Sequence, residues 1–76
     1  MRHYAALSGN AGVRAFEVLD RAIIIEFNDG RRYLYDATRP GPHHVREMIR
    51  LAHAGIGLTT YINQHVRENY AERLGG

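Results

Sequence analysis

The chain has 76 residues, no cysteine and a formal charge of +2, from ten arginines without a single lysine set against eight acids. That length suits one domain with one thin core. The absence of thiols excludes disulfide staples and Cys-based zinc sites, so packing or self-association must supply the stability and a homo-oligomer is expected.

The leading MRHYAALSGNAG has no apolar signal-peptide core, and no run approaches the ~20 apolar residues of a spanning helix, which predicts a cytoplasmic protein with no membrane partner. Residues 1–12 read as a mobile arm to a single domain covering 1–76. Two strand-like runs follow, VRAFEVL over 13–19 and AIIIEFN over 22–28, and RRYLYD over 31–36 resumes the pattern after Gly30. Asn-Asp-Gly between apolar runs predicts a hairpin, because glycine accepts the positive φ that such loops demand.

Loop length then decides which way Tyr33 and Tyr35 face, since a slip of one residue turns every side chain of a strand over. A two-residue loop of Asp29 and Gly30 opposes Ile25 to Leu34 and displays both rings outward. A three-residue loop starting at Asn28 pairs Tyr33 with Ile25 and Tyr35 with Ile23. The second register gathers Ile23, Ile25, Phe27, Tyr33 and Tyr35 on one face and is favoured, because a small domain without tryptophan needs its large rings inside. Each hydroxyl is then expected to reach a polar partner at the edge of the core, and Ile24 and Leu34 to form a modest apolar patch on the other face.

Beyond Pro40, Gly41 and Pro42 the period changes from two to about 3.6. Val45, Met48, Ile49 and Ala52 form one stripe of a helix over 42–54, with Pro42 suited to its first turn and Gly55 to its stop. After GIG, Thr59 or Thr60 is placed to cap a second helix reaching Leu74, with Leu58, Ile62, Val66 and Tyr70 on its apolar side. The expected fold is α+β: a three-stranded antiparallel sheet with two helices packed on one face, in the order β-β-β-α-α.

Arginine forks bind phosphate in bidentate fashion and stack on aromatic rings. Arg31, Arg32, Arg46 and Arg50 are therefore candidate phosphate contacts, the last two forming a ridge that Glu47 partly offsets. On the second helix Asn63 and Arg67 share a face and Tyr70 lies on a neighbouring line. Together they offer an amide, a guanidinium and a hydroxyl to a phosphate or base edge. The structural alternative has Asn63 bonding backbone, Arg67 pairing an acid and Tyr70 packing. Tyr33 and Tyr35 are the candidate stacking or structural rings. The five histidines lack the spacing of a zinc signature, no metal or cofactor is expected, and exposed helix positions account for them. No Ser or Thr sits in a nucleophile turn and the acids are scattered singly, so the chain reads as non-enzymatic.

The order of Phe27, a turn ending at Gly30, Tyr33 and Tyr35, a proline, a helix and YINQHVRENY resembles the KTSC domain, a short bacterial module also attached to the carboxyl end of some lysyl-tRNA synthetases. The Tyr-any-Tyr signature matches Tyr33 and Tyr35, and the closing aromatic-Asn-Val-Arg-aromatic pattern matches Tyr61, Asn63, Val66, Arg67 and Tyr70. Ala54 stands where the family usually has a serine, and GIG lengthens the loop that follows. The resemblance implies a binding module with no known chemistry and no established function, with RNA as the partner suggested by the synthetase fusion. Two other expectations stand beside it: a homo-oligomer holding a nucleotide or other phosphate-bearing ligand through Asn63, Arg67 and Tyr70, and a protein-interaction adaptor using the outer sheet face with Ile24 and Leu34.

Overall fold

The computed structural model describes residues 1–7, 9 and 12–75. Its sheet has five antiparallel strands in sequence order: β1 Arg2–His3, β2 Val13–Leu19, β3 Ala22–Phe27, β4 Arg32–Asp36 and β5 Glu72–Gly75. This corrects the three-stranded sheet expected from the sequence. Helix α1 spans Pro42–Ala54, and the second helical region is a short α2, Leu58–Tyr61, running into a π-helical turn, Ile62–Val66.

The two additional strands come from the ends of the chain. Within the segment read as an arm, β1 pairs Arg2 with Phe16 and His3 with Ala15, and Tyr4 is buried. The Tyr4 hydroxyl accepts the backbone N–H of Leu58 at 3.2 Å, tying the amino-terminal residues to the start of α2. Residues 8, 10 and 11 of that segment, and residue 76, lie outside the described residues. At the other end, the expected helix to Leu74 stops at Val66. The Ala71 N–H then donates to the Leu34 carbonyl at 2.8 Å, and β5 pairs Arg73 with Tyr33 and Glu72 with Leu34. The open edge of β4 offers a row of unpaired backbone groups, and pairing with them prevails over the helix-forming tendency of Ala71, Glu72, Arg73 and Leu74.

The hairpin between β3 and β4 takes the three-residue loop. Ile23 opposes Tyr35 and Ile25 opposes Tyr33, while the Phe27 N–H donates to the Arg31 carbonyl at 2.9 Å. Gly30 sits at φ 90°, the left-handed conformation that glycine adopts without a steric cost. Phe16, Ile23, Ile25 and Tyr35 on one sheet face pack with Val45, Met48 and Ala52 of α1 and with Leu58, Ile62 and Val66 in a single core. Each large side chain so buried contributes about 1.5–3 kcal/mol. Leu58, Ile62 and Val66 recur every four residues, a spacing that drifts by about 40° per step on a 3.6-residue turn and less on a wider one. The π-helical turn keeps all three pointed at the sheet.

Helix α1 has the expected bounds, with Pro42 in its first turn and Gly55 closing it at φ 77° through an N–H bond to the Leu51 carbonyl. The expected threonine cap of α2 is absent. Gly57 occupies the N-cap, and the Thr59 hydroxyl instead accepts the Val13 N–H at 3.4 Å. No helix among the described residues is long and apolar enough to cross a membrane.

Candidate functional site

The short second helical region leaves one end of the inner sheet face uncovered. A groove of about 490 Å³ opens there between the β3–β4 loop and the segment from Ile62 to Tyr70, with Gly12 at its margin.

One wall is the loop. The Gly30 N–H donates to the Phe27 carbonyl at 2.9 Å, Asn28 N–H donates to the Gly12 carbonyl at 2.8 Å, and an oxygen of Asp29 accepts the Arg31 N–H at 3.0 Å. These bonds hold Phe27, Asp29 and Arg31 along the groove, with the Arg31 guanidinium 3.5 Å from the Asp29 carboxylate. The opposite wall is the π-helical turn. Burying Ile62 and Val66 leaves Asn63 and Arg67 exposed at the groove. The chain then reverses through an Asn69 N–H bond to the Val66 carbonyl, 2.8 Å, and Arg39 fastens the bend by donating to Asn69 Oδ1 at 2.9 Å and to the Glu68 carbonyl at 3.5 Å.

That reversal carries Tyr70 back over the sheet. Its ring lies 4.6 Å from Tyr33 at 38° and meets Tyr35 edge-on at 6.4 Å, while Phe27 meets Tyr33 edge-on at 5.8 Å. Tyr33 and Tyr70 are half-buried and line the groove; Tyr35 is fully buried behind them. The two tyrosines of the hairpin thus share a face but not a role.

Two arginines and two carboxylates, Asp29 and Glu68, line the groove, so its formal charge is balanced. Their commitments differ. Arg31 is engaged by Asp29, whereas Arg67 and Asn63 make no ion pair or side-chain hydrogen bond among the described residues. Among the described residues neither the acid that the structural alternative gives Arg67 nor the backbone partner it gives Asn63 is found, while Tyr70 packs on Tyr33. A guanidinium and an amide free to donate, beside aromatic faces, can hold one anionic group and one planar ring.

The remaining sequence candidates lie elsewhere. Arg32 is on the helix-free face, 2.9 Å from Glu26, which Arg14 also approaches at 3.2 Å. The Arg32 hydrogen bond, aided by Arg14 and opposed by partial burial, holds the Glu26 carboxyl below the usual range. Arg50 donates both Nε and a terminal nitrogen to Glu47, whose carboxyl is lowered chiefly by that bond. Arg46 lies apart from both, at a separate cleft on α1. Tyr35 belongs to the core. Among the described residues its hydroxyl has no partner, contrary to the expectation of an edge contact for each phenol, and burial pushes its ionisation well above the ordinary tyrosine range.

The histidines divide. His44 is half-buried and its Nδ1 lies 2.7 Å from the Tyr61 hydroxyl, tying α1 to the start of the π-helical turn, with His65 stacked on Tyr61 at 4.6 Å. Burial, with Glu47 nearby, raises Tyr61. Among the described residues no group of three or more His, Asp or Glu side chains could hold a metal ion.

Sequence reasoning found Arg31, Tyr33, Asn63, Arg67 and Tyr70 but missed Phe27, Asp29 and Glu68 as groove residues. The NDG turn was the available signal for Asp29; nothing local marks Glu68, whose place depends on the reversal at Asn69. Comparison with family models, with curated proteins and with solved structures finds no match for this chain.

Proposed function

We propose that this protein is a small non-catalytic binding module whose groove takes one nucleotide unit, either free or as a residue of single-stranded RNA. The observation that carries this reading is the convergence on one opening of the Tyr33 and Tyr70 rings with the Arg67 guanidinium and Asn63 amide, which are unpaired among the described residues. At about 490 Å³ the groove falls within the 300–1,000 Å³ typical of small-ligand sites. Phosphate on Arg67 and a base against the aromatic wall use the chemistry by which single-stranded nucleic acids are generally held.

A broad RNA footprint over Arg31, Arg32, Arg46, Arg50 and Arg67 has less support, because Arg32 and Arg50 are ion-paired and Arg46 lies at another cleft. The ordered motifs shared with the KTSC domain agree with the nucleotide reading, since the closing pattern supplies Asn63, Arg67 and Tyr70 to the groove.

The test is a titration of labelled protein with the four nucleoside monophosphates and with a short oligouridylate, followed by amide shifts. Shifts at Asn63, Arg67 and Tyr70 are expected, and Arg67→Ala should weaken binding by roughly tenfold or more, as loss of a charge-assisted hydrogen bond does. Tighter binding of the oligonucleotide, with steep salt dependence, identifies RNA as the source of the nucleotide. Unchanged affinity in Arg67→Ala, or no shifts with any of these ligands at millimolar concentration, refutes the reading.

A further inference from the structure

A second, smaller cleft of about 170 Å³ lies on the far side of α1, where the β2–β3 turn meets the helix. It is lined by Arg21, Pro42, Val45, Arg46 and Ile49. Its floor is apolar, and its two cations are uncommitted: neither Arg21 nor Arg46 makes an ion pair or side-chain hydrogen bond among the described residues. The acid next to Arg46 in the helix, Glu47, is held by Arg50. Arg21 also sits at φ 58°, a left-handed conformation that turns normally assign to glycine or asparagine. A long charged side chain placed there at a conformational cost points to a use for the side chain itself.

Size limits the occupant. Small-molecule sites begin at about 300 Å³, so this cleft accommodates a single apolar side chain better than a whole ligand. Two free guanidiniums beside it call for anions. A phosphate alone satisfies the arginines and leaves the apolar floor unused, whereas a peptide can present both chemistries at adjacent positions. We propose that this cleft docks an acidic peptide segment of a partner protein, with one apolar side chain over Val45 and Ile49 and flanking carboxylates on Arg21 and Arg46.

The test uses a synthetic peptide with a central leucine flanked by glutamates, its glutamine-flanked counterpart, and an oligouridylate as competitor, each followed by amide shifts. The acidic peptide should shift residues around Arg21, Val45, Arg46 and Ile49 and leave Asn63 and Arg67 unmoved. The glutamine version should bind at least about tenfold more weakly, and so should the Arg21→Glu and Arg46→Glu variants, because reversing a charge opposes the partner's carboxylates. Both arginines are exposed, so these variants should stay folded; Arg21→Gly relieves the backbone and checks that loss of charge is the cause. Equal binding of the two peptides, displacement of the acidic peptide from this cleft by the oligonucleotide, or no shifts at about 5 mM peptide, where even a millimolar site would be mostly filled, overturns the proposal.

Discussion

Replacing Tyr35 with phenylalanine should stabilise this protein, although Tyr35 is among its most buried side chains. The ring is fully buried and the hydroxyl has no hydrogen-bond partner among the described residues. A buried hydroxyl left unsatisfied costs about 1–3 kcal/mol. Deleting the oxygen leaves a void of roughly 12 Å³, worth about 0.3 kcal/mol at ~24 cal/mol per Å³. The net gain is about 1 kcal/mol, which raises the melting temperature of a domain this size by about 4–8 °C. Tyr4→Phe is the matched control. There the hydroxyl accepts the Leu58 N–H in a buried bond, and its loss strands that donor at a cost of about 1–3 kcal/mol. Urea and thermal denaturation of the two variants beside the parent protein give the comparison. A loss of stability in Tyr35→Phe, or no loss in Tyr4→Phe, would refute the assignment of satisfied and unsatisfied phenols.

The remaining expectations concern pH, the glycines and the ring itself. Because the Tyr35 phenol ionises above its ordinary value when folded, its contribution is complete below about pH 10 and fades as pH rises further, the unfolded chain releasing a proton that the folded chain retains. Urea midpoints between pH 9 and 11 should therefore fall less steeply in Tyr35→Phe than in the parent, and a native phenolate titration in which all five tyrosines ionise together near about pH 10 would contradict this. Gly55→Ala places a Cβ 2.8 Å from that of Ala5 at φ 77°, whereas Gly30→Ala at φ 90° meets open space. Both incur about 1–2 kcal/mol of left-handed strain, and Gly55→Ala should lose about 1–3 kcal/mol more from overpacking, so equal melting temperatures would be inconsistent with the packing of residues 5–7 on Gly55. Tyr35→Ala, which empties the ring's place in the core, should cost about 3–5 kcal/mol by denaturation.

Local chemistry made the hairpin legible. The Asn-Asp-Gly turn and the clean sorting of Ile23, Ile25, Tyr33 and Tyr35 onto one face led to the register observed, and Pro42 and Gly55 marked the ends of α1. The second helix was misread because Leu58, Ile62, Val66 and Tyr70 recur at a spacing that looks helical throughout, while the last of them reaches the core by a chain reversal. Two strands were missed for a related reason. Arg2–His3 and Glu72–Gly75 are short and weakly patterned, and each pairs with a neighbour remote in sequence or reached only through the reversal.

The candidate site was legible in part for the same physical reason. Which way a strand residue faces follows from period and loop length, and both are local. Whether that face is covered depends on how far the overlying helix extends, which is not. The choice between inward and outward tyrosines therefore omitted the outcome found: one face, with Tyr35 sealed in the core and Tyr33 left at its open end beside Tyr70. The sequence alone determined an α+β domain, the β3–β4 register, α1 and the residue types available for binding. Only the tertiary structure decided the five-stranded sheet and the release of Arg67 and Asn63 into a groove, because each depends on which segments distant in the chain come to lie side by side.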